Sequence, residues 1–153
     1  MTIPLRWSRE APPEVAGVIW SRSIPSSLEL KQDVMDELAE VMVARRLLPE
    51  DDRSWLCLCL DEALVNAILH GNEGDDTAPV HLALGVHGDR WTLRIDDQGS
   101  GFVPDEDVPD PEDSDSLMLE HGRGIRLMRE WLDELSYYRS GATLVMARRA
   151  IAG

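Results

Sequence analysis

Three polar side chains interrupt an apolar stretch of the chain at regular intervals. Glu62, Asn66 and His70 stand four residues apart within residues 58–72. Because four residues on an α-helix advance about 400°, the three side chains share one helical face. A carboxylate or amide that is buried without a partner is desolvated at a cost of several kcal/mol. The row is therefore either the polar, solvated edge of a helix or a set of ligands facing a cleft, and other parts of the chain must decide.

A glycine-rich turn follows a predicted strand further along the chain. Its sequence is Asp97-x-Gly99-x-Gly101, and the two glycines allow the backbone to turn tightly and to approach a ligand closely. In an apolar pocket, the aspartate can accept a hydrogen bond from an exocyclic amine such as adenine N6. Asp96 precedes it, but only Asp97 keeps the Asp-x-Gly-x-Gly spacing, so we assign the acceptor to Asp97. The same pattern is typical of a purely structural turn, and that alternative stays open.

A second glycine pair, Gly122-x-Gly124, is predicted to open a helix after a long polar loop. The free N–H groups and the dipole of a helix N-terminus attract phosphate, although a glycine near a helix start can also act only as a hinge. His121 and Arg123 either contact phosphate oxygens or lie in a solvated loop. His70, which follows the first motif, is more typical of capping or packing than of catalysis. The sequence contains neither a Walker A loop nor a Gly-x-Gly-x-x-Gly fingerprint.

The elements that position these residues are predicted from hydrophobic periodicity and from capping signals. Residues 1–14 are rich in proline and are predicted to be irregular or a loose edge strand. A strand follows at 15–24, and the capping-box spacing Ser26-x-x-Glu29 predicts a helix from there to about 48–49. The remaining predicted elements are a helix at 51–70, a hairpin with strands 80–86 and 91–95, a polar loop at 103–121, a helix at 122–132, and a hairpin with strands 135–139 and 142–148.

This order of elements predicts an α+β fold. We expect a two-layer sandwich in which the helices cover one face of a mixed, mostly antiparallel sheet, and a ligand can sit between the two layers. Residues 15–153 are predicted to form a single domain after the irregular segment 1–14. Within that domain, residues 103–121 are predicted to be a lid, because loops of this length in a compact domain are typically lids or disordered segments.

Composition limits the classes of partner and the compartment. The formal net charge of −14 over 153 residues argues against nucleic acid or an anionic membrane as the main partner, since both require a positive face. The acidic run at 105–115 is typical of a solvated loop. Cys57 and Cys59 point to opposite sides of a helix, so they form neither a disulfide nor a metal site, and packing is expected. Without a secretory signal or a membrane span, the protein is predicted to be cytoplasmic.

The GHKL (Bergerat-fold) ATPase superfamily, which includes gyrase B, Hsp90, MutL and histidine kinases, has four sequence boxes called N, G1, G2 and G3. The chain resembles all four in order over residues 17–149, with Glu62-x-x-x-Asn66, Asp97-x-Gly99-x-Gly101, Gly122-x-Gly124 and Gly141-x-Thr143. The short length and the form of residues 61–71 are similar to the anti-sigma-factor serine kinases of the RsbW and SpoIIAB type. The resemblance implies the Bergerat (histidine-kinase-like ATPase) fold.

The resemblance also implies roles for single residues. Asn66 matches the asparagine that binds Mg²⁺ on the ATP phosphates, and an amide oxygen is a hard ligand that suits magnesium. Glu62 matches the general base that takes a proton from the attacking serine hydroxyl or water. Asp97 matches the aspartate that reads adenine, and Thr143 matches the G3 position near adenine. The other implied nucleotide-binding residues are Gly99 and Gly101 around the base, and Gly122, Arg123 and Gly124 on the phosphate side.

The activity implied by the resemblance is that of an ATP- and Mg²⁺-dependent protein serine/threonine kinase. Such a protein acts as an anti-sigma factor: it sequesters a sigma factor and phosphorylates an anti-anti-sigma (STAS-domain) protein. The family is often dimeric, so a homodimer is expected, without direct contact to nucleic acid or membrane. Two alternatives stay open. One is a nucleotide-gated binding protein without phosphotransfer, and the other is the ATPase half of a split histidine kinase.

Overall fold

A mixed six-stranded sheet forms one layer of the fold in the computed structural model, which describes residues 2–101 and 119–150. The strands are β1 (Leu5–Trp7), β2 (Val18–Pro25), β3 (Pro79–His87), β4 (Arg90–Asp96), β5 (Glu134–Tyr138) and β6 (Thr143–Arg149). The helices are α1 (Leu28–Ala44), α2 (Arg53–Val65) and α3 (Leu119–Trp131), with 3₁₀ turns at Glu50–Asp52 and Arg139–Gly141 and a π-helical turn at Asn66–Gly71.

The strand order across the sheet is β1-β5-β6-β4-β3-β2. The pair β1 and β5 is parallel, and every other neighbouring pair is antiparallel. The prediction of an α+β fold with a mostly antiparallel, mixed sheet is therefore confirmed.

Alternation along the strands explains where the core lies. In β4, Trp91, Leu93 and Ile95 are buried, and the residues between them are more exposed, because successive side chains of a strand point to opposite faces. These buried side chains belong to one hydrophobic cluster with the apolar faces of the helices, among them Leu38 of α1 and Leu60 of α2. The helices thus cover this face of the sheet. The same packing fixes the orientation of α2 and therefore the direction in which Glu62 points.

The start of α1 differs from the prediction by one residue. Ser27, rather than Ser26, is the N-cap, and its side chain accepts a hydrogen bond from the Glu29 N–H. The capping box was therefore wrong in register. Ser26 is buried, and its hydroxyl donates to the Ala78 carbonyl at 2.7 Å, so it joins the helix start to the segment before β3. α1 also ends at Ala44, before the predicted end at 48–49.

The second helix changes its geometry partway along. α2 is α-helical as far as Val65, and the chain then continues as the π-helical turn Asn66–Gly71. The prediction of one regular α-helix to residue 70 is wrong for this last turn. π-helical turns are frequent at functional sites, because they change the direction of the side chains that follow.

The predictions for residues 1–14, for the start of α3 and for residues 103–121 have different outcomes. Leu5–Trp7 form the edge strand β1, which was one of the alternatives for residues 1–14. α3 begins at Leu119, so the prediction that Gly122 opens this helix is wrong. The predicted lid falls mainly on residues 102–118, and the acidic run 105–115 falls there entirely, outside the described residues. No helix in the described part of the chain is long and apolar enough to cross a membrane.

Candidate functional site

A cavity of about 270 Å³ lies between the end of α2, the π-helical turn and the strands β4 to β6. Its lining is mostly apolar or glycine, with four polar residues. The lining residues are Ala63, Asn66, Ala67, His70, Gly71, Ile95, Asp97, Gly101, Ile125, Tyr137, Gly141, Ala142 and Leu144. Two members of the predicted ligand row, Asn66 and His70, thus line a cleft; Asn66 is half-buried there, and His70 stays exposed at its edge. An apolar cavity with a few convergent polar groups is the usual form of a small-molecule site.

The third member of the row, Glu62, is hydrogen-bonded to Asn66. The Asn66 Nδ2 donates to Glu62 Oε2 at 2.9 Å, as expected for side chains one helical turn apart. The backbone of Gly124 on α3 lies against the same glutamate: a Cβ at Gly124 would come within 3.0 Å of Glu62 Cγ, Cδ and Oε1. Glycine at this position therefore allows α3 to approach Glu62 closely, and the structure brings three sequence-predicted residues together.

Asp97 also lines the cavity and lies directly after β4. It is only 7% exposed, its N–H donates to the Ala142 carbonyl at 2.9 Å, and its Oδ1 accepts from the Gly99 N–H at 2.8 Å. Burial raises the pKa of this carboxyl above its ordinary value, although the Gly99 N–H and the charge of Arg139 both act to lower it. A buried carboxylate among apolar walls is a strong, directional acceptor for a ligand N–H group.

Glycines surround Asp97 because its neighbours leave no space for side chains. A Cβ at Gly71 would come within 3.0 Å of the Asp97 carboxylate, and a Cβ at Gly99 would collide with the Gly71 carbonyl. Gly101 has φ +85, and a Cβ there would meet the Ser140 carbonyl. The two glycines of the Asp-x-Gly-x-Gly motif are therefore needed for close backbone approach, as the sequence suggested.

Asp96 and Thr143 do not belong to the cavity. The two residues are paired across β4 and β6, and Thr143 Oγ1 donates to Asp96 Oδ1 at 2.5 Å. Arg94 Nε also donates to Asp96, to Oδ2 at 2.8 Å. The place of Thr143 near the purine stays a prediction, but its neighbours Ala142 and Leu144, rather than Thr143 itself, line the cavity. The physical reason is strand alternation, which turns Thr143 away from the face that Leu144 shares with the core.

For three predicted phosphate-side residues, the structure gives the helix in which they lie but not their contacts. His121, Gly122 and Arg123 fall within the span of α3, and their contacts lie outside the described residues. Gly124 is the one member of the Gly122-x-Gly124 motif whose contacts are described, and it lies on Glu62.

Tyr137 is a polar residue of the cavity that the sequence did not single out. It is 6% exposed, and its hydroxyl is hydrogen-bonded to the side-chain amide of Asn66. Burial raises the pKa of the phenol, and the negative charges of Glu62 and Asp97 raise it further, so the ring stays neutral at physiological pH. The missing signal was alternation in β5: Leu135 is buried, so Tyr137, two residues later, faces the same side.

Asn72 is a second residue that the sequence did not single out, and it has a positioning role. It is buried, and its Nδ2 donates to Ser26 Oγ at 2.8 Å and to the carbonyls of Ala78 and Pro79. Its Oδ1 accepts from the Gln98 N–H at 2.6 Å. One amide thus fixes the loop that carries Asp97 to the end of the π-helical turn.

The donor set fits a magnesium ion that is shared with a ligand better than an ion held by protein alone. In the described residues, no group of three or more histidine, cysteine, aspartate or glutamate side chains is arranged to hold a metal. Magnesium usually keeps several waters and takes only one or two protein oxygens together with substrate phosphates. Asn66, beside Glu62 at the edge of a cavity, matches that limited requirement.

Comparison with known proteins agrees with this fold. A family model described as a histidine kinase-like ATPase domain matches residues 24–148. A serine-protein kinase RsbW of Bacillus licheniformis is 32% identical over 108 residues, which cover 64% of this chain and 65% of that protein. An anti-sigma F factor of Anoxybacillus flavithermus is 30% identical over 89 residues, covering 58% of this chain and 61% of the relative.

A third relative is the serine/threonine-protein kinase BtrW of Bordetella bronchiseptica, which is 35% identical over 88 residues. These residues cover 57% of this chain and 62% of the relative. The chain therefore spans less than two thirds of the length of each of these three proteins.

Proposed function

Because the chain belongs to the histidine kinase-like ATPase family, we propose that it binds Mg·ATP in this cavity and transfers the γ-phosphoryl group to a serine or threonine of a protein. The observation that carries the proposal is the hydrogen bond between Glu62 and Asn66, beside a cavity that Asn66 and the buried Asp97 both line. A base-like carboxylate, a metal-binding amide and a purine acceptor are thus arranged around one space.

The purine lies at the Asp97 side of the cavity in this proposal. The carboxylate accepts a hydrogen bond from the exocyclic amine of adenine, a contact that guanine, with a carbonyl at the same position, does not offer. The walls contributed by Ile95 and Leu144 exclude water from that bond, which strengthens it. Close approach of the base requires the bare backbone of Gly71 and Gly101.

The phosphates extend toward Asn66, Glu62 and the backbone of Gly124. Asn66 would hold the magnesium ion through its amide oxygen. The metal neutralises charge on the phosphate oxygens when it is bound. The hydrogen bond from Asn66 Nδ2 to Glu62 Oε2 fixes the amide so that its oxygen is turned away from the carboxylate.

Glu62 acts as the general base of the transfer. The oxygen of the acceptor serine forms a bond to the γ-phosphorus, and its proton passes to the Glu62 carboxylate. The bond between the γ-phosphorus and the β–γ bridging oxygen breaks, and ADP leaves with the electron pair. Phosphoryl transfer depends mainly on positioning and charge neutralisation, so these few groups form a sufficient set.

The physiological partners we propose are a sigma factor, which the protein sequesters, and a STAS-domain anti-anti-sigma protein, which it phosphorylates on serine. The support is the names of the matched relatives, an anti-sigma F factor and the serine-protein kinase RsbW. We also propose that the active form is a homodimer, as is frequent in this family.

The experiment that tests the proposal is transfer of labelled phosphate from γ-labelled ATP to STAS-domain proteins encoded near this gene. Wild type is expected to label a serine, and the bond is expected to be stable in acid. Glu62→Gln is expected to keep Mg·ATP binding and to lose transfer by about 10²- to 10⁴-fold, the usual contribution of a positioned general base.

Each alternative function predicts a different result in the same assay. A nucleotide-gated binding protein binds Mg·ATP and its partner, but labels no protein in either wild type or Glu62→Gln. The ATPase half of a split histidine kinase labels a histidine, and that phosphoramidate bond is lost in acid. Acid-stable label that is unaffected by Glu62→Gln would remove Glu62 from the role of base.

A further inference from the structure

The N-terminal residues 3–10 contact both walls of the cavity. β1 lies parallel to β5 with Trp7 opposite Tyr137. Ahead of β1, the Ile3 N–H donates to the Arg129 carbonyl at 2.9 Å, and Arg129 Nε donates back to the Ile3 carbonyl at 2.8 Å. Arg129 belongs to α3, the helix that lies on Glu62 through Gly124, so the segment is attached to the phosphate-side wall.

Beyond β1, the same segment holds the turn at the purine side. The Arg139 N–H donates to the Glu10 carbonyl at 2.8 Å, and the Ser140 N–H donates to the Ser8 carbonyl at 3.0 Å. The Glu10 N–H in turn donates to Ser8 Oγ at 2.9 Å, which fixes the bend that directs both carbonyls. Two consecutive residues of the turn Arg139–Gly141 are thus anchored on residues 8–10.

This turn needs external support because of its backbone conformation. Arg139 has φ 52 and Ser140 has φ 60, and both values lie in the left-handed region that side-chain-bearing residues disfavour. Such a conformation persists only when surrounding contacts enforce it. The carbonyls of Ser8 and Glu10 supply two of those contacts.

The turn Arg139–Gly141 determines the shape of the cavity near Asp97. The next two residues, Gly141 and Ala142, line the cavity, and Gly101 packs against the Ser140 carbonyl. Ala142 also accepts the hydrogen bond from the Asp97 N–H. Displacement of the turn would therefore move Asp97, Gly101 and the cavity wall together.

We propose that residues 3–10 form a clamp that positions the nucleotide site by holding the turn Arg139–Gly141 and α3 in fixed relation to each other. The family match begins only at residue 24, so these residues add a positioning element outside the part that the family model covers. The proposal rests on the proposed function, because the site that it positions is the Mg·ATP site.

The test compares Mg·ATP affinity and amide hydrogen exchange in matched variants. Glu10→Pro removes the N–H that donates to Ser8 Oγ without deleting β1. Glu14→Pro is the control, because Glu14 lies beyond the clamp in the stretch between β1 and β2, is exposed and makes no hydrogen bond within the described residues. Glu10→Pro is expected to speed hydrogen exchange of the Arg139 and Ser140 amides. It is also expected to weaken Mg·ATP binding by about tenfold, which is the factor that corresponds to the free energy of holding one residue in the left-handed region.

A rescue variant separates clamping from general damage. Glycine adopts positive φ without steric penalty. The double variant Glu10→Pro with Ser140→Gly is therefore expected to bind Mg·ATP roughly threefold more tightly than Glu10→Pro alone. A second variant, Arg129→Ala, removes the side-chain bond to Ile3 and is expected to weaken binding by about two- to fivefold. Its control is Arg126→Ala, an exposed position on the same helix.

The outcomes distinguish the clamp from the proposed function. If wild type fails to bind Mg·ATP, the proposed function is wrong, and the exchange rates alone still report whether residues 8–10 hold the turn. If wild type binds, and a folded Glu10→Pro variant binds equally well with unchanged exchange at Arg139 and Ser140, the clamp is refuted. Should Glu10→Pro fail to fold, Arg129→Ala is the test: wild-type affinity would refute the part of the clamp that the Arg129 side chain supplies, since the bond from the Ile3 N–H to the Arg129 carbonyl remains.

Discussion

The carboxylate of Asp97 lies directly on the backbone of Gly71. A Cβ at Gly71 would come within 3.0 Å of Oδ1, Oδ2 and Cγ of that aspartate. The contact joins the end of the π-helical turn to the first residue after β4, although the two positions are 26 residues apart in the chain. The position of Asp97, the proposed purine acceptor, therefore depends on Gly71 at the end of the π-helical turn as well as on the glycines of its own turn.

Gly71→Ala is expected to weaken Mg·ATP binding by displacing the Asp97 carboxylate. The side chain can move aside, so the protein should still fold, but the acceptor leaves its place. Loss of a buried hydrogen bond to the ligand should weaken affinity by about five- to a hundredfold. Calorimetric titration with Mg·ATP measures this change.

Gly74→Ala is the matched control for that variant. Gly74 has φ +72 and open space around its Cβ position, so alanine there strains the backbone without reaching Asp97. It should lower the free energy of unfolding and leave nucleotide affinity of the folded protein unchanged. Equal affinity in Gly71→Ala and wild type would show that the Asp97–Gly71 contact has no part in binding.

Asp97→Asn is expected to change how stability depends on pH. The folded protein raises the pKa of Asp97 above its unfolded value, mainly because of burial. Between those two pKa values the folded state binds more protons, so the wild-type free energy of unfolding falls as pH rises through this window. The asparagine lacks this dependence and should be the more stable form at neutral pH, with the difference narrowing on acidification.

The same variant tests base selection. Nucleotide competition at neutral pH should show a weaker preference for adenine over guanine in Asp97→Asn than in wild type, because the amide can turn its donor toward the base. An unchanged preference would remove Asp97 from the purine pocket, whatever the stability curves show.

Tyr137→Phe is expected to weaken the magnesium dependence of binding. The hydroxyl that is lost is hydrogen-bonded to Asn66, the proposed metal ligand, while the ring that fills the cavity floor is kept. Removing one such hydrogen bond should raise the magnesium concentration for half-maximal ATP binding by about two- to tenfold. An ATP affinity in excess chelator that equals the wild-type value would confirm that only the metal side is affected.

Gly124→Ala is expected to slow phosphoryl transfer while making α3 more stable. Alanine favours a helix over glycine by about 1 kcal/mol. Its Cβ would collide with Glu62, however, and a shift of the base by about 1 Å can slow transfer by roughly a hundredfold. Arg126→Ala, at an exposed position of the same helix, is the control for changed helix propensity, and it should retain the wild-type transfer rate.

The elements with a clear hydrophobic period could be predicted. The alternation of Val80 to Val86 and of Trp91 to Ile95 predicted the hairpin of β3 and β4. It was harder to predict which residue caps a helix and which face of a strand a given side chain occupies. Ser26 and Ser27 are both suitable N-caps, and the choice between them was decided by the burial of Ser26 against Asn72.

Side-chain types and spacing were enough to single out Glu62, Asn66 and Asp97, whose roles stay predictions and which the structure places at or beside one cavity. The parts of the site that tertiary packing decides could not be predicted. The π-helical turn follows no distinct sequence period, and the contact between Gly71 and Asp97 joins two distant motifs. Thr143 shows what alternation adds, because the core residue Leu144 beside it places Thr143 on the other face of β6 from the residues that line the cavity.

The most direct test of a metal-held nucleotide in this cavity is calorimetric titration of wild type and Asn66→Ala with ATP, each with magnesium and with excess chelator. Wild type should bind more tightly with magnesium, and Asn66→Ala should lose that difference while remaining folded. An Asn66→Ala protein that binds Mg·ATP as tightly as wild type would contradict the assignment of the cavity.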